Sequence, residues 1–351
     1  MLSTARSLVA GTAARAVAAS SAAGAPLARA HFSVAPASEA FFQGKAVPLD
    51  FHRQDPPADN VRLFKSPIII LPGLLGSRQN WRSMSKLLAS RTGRTVFSLD
   101  MRNHGSSPWS APEHAGYDYM AADIAAFVTE HLSEFDRDFV LLGHSMGGKT
   151  VMHYALNAPF DLQPGRIVVA DILPEQSPNA SFSEILQAMI TTEERRVGTR
   201  PEAEQILADM GVTNERVRAF VGTNLVKGQL PEALAAALPG HTDEQFYFRC
   251  NTRALQAALG EIMAVPAYSP DQVYSGRSLF VGGRKADYVP DDPSRVAATL
   301  AGHFGPFVED PADPDAKEGW SLRMLDTGHW IHADDPWGFT HQVEAFLDNA
   351  A

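Results

Sequence analysis

The segment Gly143-His144-Ser145-Met146-Gly147 puts a serine between glycines, after an apolar run from Phe139 to Leu142 and ahead of a helix-like stretch. That context suits a nucleophile. A serine lifted above the end of a strand on a strained turn needs residues without a Cβ two before and two after it, because the backbone folds back on itself there. The first amides of the following helix then face the hydroxyl, where the helix dipole favours developing negative charge. The Met146 N–H is one expected donor to that charge. The other is the Leu74 N–H, in Leu71-Pro72-Gly73-Leu74-Leu75-Gly76-Ser77, a glycine-containing loop behind an earlier apolar run. Gly328-His329-Trp330 follows the last apolar run near the C-terminus, which makes His329 the expected general base. Together these segments support acyl transfer through a covalent serine intermediate, chemistry that needs no metal or organic cofactor.

The acid that would orient His329 has two candidates. Asp287, in Gly283-Arg284-Lys285-Ala286-Asp287-Tyr288-Val289, follows the apolar run Ser278 to Val281, although the usual spacing would put the carboxylate at Ala286. Asp171 ends the run Ile167 to Ala170, behind the nucleophile's helix. Either fits a triad defined by geometry rather than by chain position, and the unused carboxylate then reads as a helix cap. His332, three residues beyond His329, reads as a supporting or structural residue. A second motif overlaps the first: Gly143 to Thr150 also spells G-x-x-x-x-G-K-T, a phosphate-binding loop with Lys149, and Asp171 could then help hold magnesium. Such a loop normally follows the first strand of its domain, whereas two strand candidates precede this one. Nucleotide hydrolysis would also leave His329 without a task. A non-catalytic binding protein is the remaining alternative, and an intact Ser, His and two acids weigh against it.

These residues need a scaffold that brings strand ends together. Strand-like runs lie at Pro67 to Leu71, Thr95 to Leu99, Phe139 to Leu142, Ile167 to Ala170, Ser278 to Val281 and Leu322 to Leu325, with Ala46 to Phe51 expected as an antiparallel edge. Helical spacing fills the gaps at Asn80 to Ser90, at Ala121 to Phe135 and from Asp335-Pro336 to Leu347. The pattern predicts an α/β fold, a mostly parallel sheet flanked by helices. Its alternation stops after Asp171 and resumes near Arg277. Helix-like segments at Glu184 to Ile190, Glu202 to Met210, Glu215 to Val221 and Glu232 to Leu238 predict an inserted helical lid over residues 175–270, with the core at 39–174 and 271–351. Gly305 to Gly319, acidic and Pro-rich, reads as a surface loop.

Composition narrows the class further. With 45% hydrophobic and 20% charged residues the chain can bury a full core. A net charge of −10 speaks against nucleic acid as a partner, since backbone phosphates are bound by clustered Lys and Arg. A lone cysteine, Cys250, allows neither an intrachain disulfide nor a thiolate metal cluster. No run of about eighteen apolar residues predicts a transmembrane helix. Residues 1–38 contain no Asp or Glu, are rich in Ala and Ser, and carry Arg6, Arg15 and Arg29, the composition of a mitochondrial transit peptide. Without them, three fewer of the 30 basic residues remain, leaving 27 against 40 acidic and a net charge of −13.

Asp100-Met101-Arg102-Asn103-His104-Gly105-Ser106-Ser107, Gly143-His144-Ser145-Met146-Gly147-Gly148-Lys149, Asp171-Ile172-Leu173-Pro174 and Gly328-His329-Trp330-Ile331-His332-Ala333 resemble the mitochondrial abhydrolase domain-containing protein eleven group of α/β-hydrolases. That group is similar to bacterial YbfF-type esterases and to the yeast ethanol acetyltransferases. The resemblance runs from about Val47 to the C-terminus and thins through the insertion and through Gly305 to Gly319. It implies the α/β-hydrolase fold and a serine esterase acting on small carboxylic esters or thioesters in mitochondria, in the matrix, with alcohol O-acetyl transfer from acetyl-CoA as the alternative. It also implies that Asp171 is the triad acid, since the Asp of D-I-x-P serves so in that group. The chain departs from the group at Pro72, where relatives usually carry His; proline fixes φ and removes a side-chain donor from the oxyanion loop.

Overall fold

A run such as Ile68–Leu71, apolar at every position and fully buried, cannot sit on a sheet with one wet face; it needs helices on both sides. That requirement organises the fold. The computed structural model describes residues 44–58, 65–132, 135, 139–177, 180–240, 244–300 and 302–348. Among them the strands are β1 (Phe51–Gln54), β2 (Ile68–Leu71), β3 (Val96–Leu99), β4 (Val140–His144), β5 (Arg166–Ala170), the pair β6 (Leu225–Gly228) and β7 (Gln245–Phe248), β8 (Arg277–Gly283) and β9 (Gly319–Leu325). Seven form one sheet in the order β1-β3-β2-β4-β5-β8-β9, parallel throughout except for antiparallel β1 at the edge.

The helices are α1 (Arg82–Thr92), α2 (Tyr117–His131), α3 (Met146–Asn157), α4 (Ala180–Glu194), α5 (Arg200–Asp209), α6 (Glu215–Gly222), α7 (Glu232–Ala237), α8 (Thr252–Ala257), α9 (Leu259–Met263), α10 (Pro293–Leu300), α11 (Ile331–Asp334) and α12 (Pro336–Asp348). On one face of the sheet α1 and α12 bury Trp81, Leu88, Phe339, Val343 and Phe346. On the other, α2, α3 and α10 bury Met120, Ile124, Val151, Met152 and Val296. The expected mostly parallel sheet between helical layers is the architecture found.

Two local expectations are corrected. The edge strand begins at Phe51, opposite Leu99, rather than at Ala46. Upstream of it side chains take the amides: Val47 N–H donates to Asp123 Oδ1 at 2.7 Å and Asp50 N–H to Ser107 Oγ at 2.8 Å. Among the described residues between β5 and β8 the helices are joined by one antiparallel strand pair, β6–β7, whose four-residue segments, separated by α7, are too short for their periodicity to be told from helix. The leader expected at residues 1–38 lies outside the described residues. Among the described residues no helix is long and apolar enough to cross a membrane, and no cluster of three or more His, Cys, Asp or Glu is placed to hold a metal ion.

The strand order matters most at β2. Its two neighbours are β3 and β4, so the chain works outward to one side and then crosses to the other. Loops leaving the carboxyl ends of β2 and β4 therefore diverge around a crevice, the usual place for a ligand in such sheets. Beyond β3, the loop opening at Asp100 is anchored by Arg102, which is 1% exposed and bonds both Asp123 oxygens, at 2.7 and 2.6 Å, as well as the Lys45, His114 and Tyr119 carbonyls. Removing one member of a buried pair leaves an uncompensated charge. Asp123→Leu is expected to lower the unfolding free energy by about 3–5 kcal/mol in urea denaturation; a change below about 1 kcal/mol, the range of exposed pairs, would contradict this account.

Candidate active site

Leu71 at the end of β2 lies opposite Gly143 in β4, and the two loops leave the sheet in contact. Ser145 joins β4 to α3 with φ 53° and ψ −117°, a conformation that L residues seldom adopt. Glycine is required on both sides of it. A Cβ on Gly143 would fall 2.2 Å from the Gly147 carbonyl oxygen, and one on Gly147 would fall 2.1 Å from that of Leu71. Because α3 is helical from Met146 onward, residues 143–149 form no open loop able to cradle a phosphate. Lys149 Nζ donates to the Met263 and Ala264 carbonyls instead, at 2.8 and 3.2 Å.

His329, on the turn after β9, bonds through Nδ1 to Asp171 Oδ2 at 2.7 Å. Asp171 is fully buried, with φ 51°, and its Oδ1 accepts from the Gly283 N–H at 2.7 Å. Both carboxylate oxygens are thus engaged, and the His329 proton is held on Nδ1 while Nε2 is left to accept. Asp287 is exposed and makes no bond to His329. Ser145 and His329 line one cleft. No hydrogen bond joins Ser145 Oγ to Nε2, a contact that in ligand-free sites often tightens only with substrate.

The oxyanion loop is built tightly. A Cβ on Gly73 would come within 3.0 Å of His144 Nδ1 and 3.2 Å of Ser145 Cβ. Leu75 has φ 62° and is fixed at both backbone groups: its N–H donates to His104 Nε2 at 3.0 Å, and its carbonyl accepts from Asn224 Nδ2 at 2.7 Å. The Leu74 and Met146 amides, the two expected donors, have no acceptor among the described residues. Pro72 lines the cleft without a donor of its own.

His144, His332 and Tyr288 gather around His329, and of these the spacing singled out only His332, as a supporting residue. His144 Nε2 pairs with the His329 carbonyl at 2.8 Å, which makes it the donor and fixes the neutral tautomer. Burial, and then the neighbouring His329 and His332 rings, hold His144 well below the ordinary histidine range. His332 stacks on Trp81 with centroids 3.9 Å apart and planes at 12°; burial, then His329, pull it down to about 3, and its Nδ1 has no partner. Burial lowers His104 too. Tyr288 stacks on His329 at 4.1 Å and 28°. For His144 and Tyr288 the only signal in sequence was adjacency to Ser145 and Asp287.

Residues 66–188 match the family described as alpha/beta hydrolase fold. The sn-1-specific diacylglycerol lipase ABHD11 of Danio rerio is 33% identical over 288 residues, covering 80% of this chain and 78% of that protein. A probable alcohol acetyltransferase of Saccharomyces cerevisiae is 30% identical over 316 residues, 87% of this chain and 85% of that one. Among solved structures, a marine microorganism esterase superposes with a TM-score of 0.68 at 25% identity, covering 86% of this chain and all of its own.

The buried neutral histidines link stability to pH. His332 takes a proton near 6.5 when unfolded and near 3 when folded, so its contribution is fully present above about pH 6.5 and is lost as pH falls toward 3. His332→Phe keeps a ring against Trp81 and removes the proton. The stability of this variant relative to the parent is expected to rise by about 1.4 kcal/mol per pH unit as pH falls from 6.5 to 4. Urea melts at several pH values would measure it, and a pH-independent difference would refute a neutral buried His332.

Proposed function

The chain belongs to the alpha/beta hydrolase family and is an ester-cleaving hydrolytic enzyme, and from that premise we propose that Ser145 is its nucleophile, His329 its general base and Asp171 the orienting acid, with the Leu74 and Met146 amides as oxyanion donors. The observation that carries this reading is the bond from His329 Nδ1 to a carboxylate whose other oxygen is already tied to Gly283, in the cleft that Ser145 lines. Substrates are small carboxylic esters or thioesters.

As Ser145 Oγ bonds to the acyl carbon, its proton passes to His329 Nε2. The carbonyl electron pair moves onto oxygen, where the two free amides accept the charge without reorganising. The pair returns, the bond to the leaving alcohol or thiol breaks, and His329 hands that group its proton. Water then attacks the acyl-enzyme, giving its proton to Nε2 and releasing the acid as Oγ recovers a proton. Asp171 holds the imidazole tautomer throughout and stabilises the imidazolium.

A second reading, transfer of an acetyl group from acetyl-CoA to an alcohol, draws on the yeast relative named a probable alcohol acetyltransferase. Both routes share the acyl-enzyme and differ in the second nucleophile. Water is in vast excess, so an alcohol needs a site of its own to compete; we take hydrolysis as the main route. We also assign residues 39–174 and 271–351 to the catalytic core, 175–270 to a lid whose Phe182 and Phe220 line the cleft, and 1–38 to a transit peptide directing the protein to the mitochondrial matrix.

For the leader, the mature N-terminus isolated from mitochondria is expected between Arg29 and Phe42, and recovery of an intact Met1 would refute processing. For the site, Ser145→Ala should abolish ester turnover and fluorophosphonate labelling. Asp171→Asn should cost about 10⁴ in turnover, the scale for a misoriented tautomer, while Asp287→Asn keeps most of it. Steady-state kinetics with free acid and ester products separated decides all three; undiminished labelling of the serine variant sinks the assignment, and ester exceeding acid at millimolar ethanol with acetyl-CoA reverses the choice of route.

A further inference from the structure

A second, smaller cavity also reaches Ser145. Its walls include Leu74 and Met146, whose amides are the oxyanion donors, together with Ile172, Met263 and Lys149, but not His329. The cleft that His329 lines shares Leu74 and Ser145 with it but not Met146. Since the general base must reach the leaving group and the acyl carbonyl must reach the amides, the leaving group belongs in the larger cleft and the acyl chain in the smaller cavity.

Lys149 is anomalous there. It is 4% exposed, and among the described residues its ammonium has no acidic partner. Burial alone lowers it, to about 8, so it stays mostly charged near neutral pH. An unmatched buried ammonium is costly, as the pairing of buried Arg102 with Asp123 illustrates. Two of its three N–H groups go to the carbonyls of Met263, the last residue of α9, and of Ala264 just beyond it. That accounts for the hydrogen bonds but hardly for the charge, because a five-residue helix offers only a weak dipole. Ser145 and Lys149 are four residues apart along α3, a rise of about 6 Å.

We propose that this cavity is an acyl pocket selective for a short acyl chain ending in a carboxylate, which pairs with the Lys149 ammonium. The proposal rests on Ser145 being the nucleophile. The carboxylate would take the third N–H and supply the missing charge, while the apolar walls hold the methylenes between it and the scissile carbonyl. A chain of three or four carbons between the carbonyl and the charge spans the distance that one helical turn sets.

The test compares the mono-4-nitrophenyl ester of glutaric acid with the 4-nitrophenyl ester of hexanoic acid, a neutral chain of equal reach with the same leaving group, after subtracting uncatalysed hydrolysis. The parent enzyme is expected to favour the anionic ester in kcat/KM, and Lys149→Met to lower the anionic-to-neutral ratio by about 10- to 100-fold, the scale of a charge-assisted hydrogen bond. Lys149→Arg, which keeps the charge, should retain part of the preference. A parent that favours hexanoate overturns the proposal even if Lys149→Met fails to fold. So does a ratio unchanged in Lys149→Met while both rates fall, which would make the lysine a helix cap only. If neither ester is turned over and fluorophosphonate does not label Ser145, the nucleophile assignment itself fails and the pocket falls with it; loss of the preference with labelling intact removes the pocket alone.

Discussion

The site depends on a contact between two backbones that leaves no room for a Cβ. Where β2 and β4 end side by side, Gly147 passes so close to Leu71 that a methyl group there would lie 2.1 Å from its carbonyl oxygen. This approach forces the turn at Ser145 into positive φ, and it brings the start of α3 against the loop leaving β2. Leu74 and Met146, from different segments, thereby line one cavity with Ser145. A looser crossing would let Ser145 relax to ordinary dihedrals and would separate those amides. The strain is maintained by the fully buried strands beneath it, since Ile68 through Leu71 and Val140 through Leu142 cannot shift without opening the core.

Around that contact, neutral imidazoles act as struts. His104 accepts from the Leu75 amide, and His144 donates to the His329 carbonyl. Each bond requires one particular neutral tautomer, and burial enforces neutrality by penalising the charged ring. A protonated His104 would lose its acceptor and release Leu75. His144 and His332 therefore stay neutral beside His329, whose own Nδ1 bonds a buried carboxylate, Asp171. That bond sets His329 apart from the two rings beside it.

What could be read from sequence tracks how local the physics is. The Gly-Ser-Gly turn, the strands that precede it and the glycine loop after Leu71 are short-range consequences of sterics and burial, and all appear where the pattern put them. Asp171 and Asp287 were not separable by spacing, because which carboxylate meets His329 is decided by how β5, β8 and β9 align; Asp171 and Gly283 come together only through that register. The edge strand was displaced by side chains of Asp123 and Ser107, residues more than fifty positions away. The β6–β7 pair escaped notice because four residues carry no decisive periodicity.

The segment between β5 and β8 does more than cover the site, for it holds each working part from outside. Asn224 bonds the Leu75 carbonyl in the oxyanion loop. The carbonyls of Met263 and Ala264, at and just beyond the end of α9, receive Lys149 from α3. Arg216 of α6 pairs with Asp334, whose Oδ2 accepts the Gly328 amide next to His329, and Phe220 packs on Trp330 at 5.5 Å. Three tethers thus run from one segment to the loop after β2, to α3 and to the turn that carries His329. Changes in this segment that reshape the cavities around Ser145 must therefore also shift the loops that carry the reaction. Substrate choice and catalytic geometry are coupled through the same hydrogen bonds, so a chain that altered one by substitution here would have to restore the other.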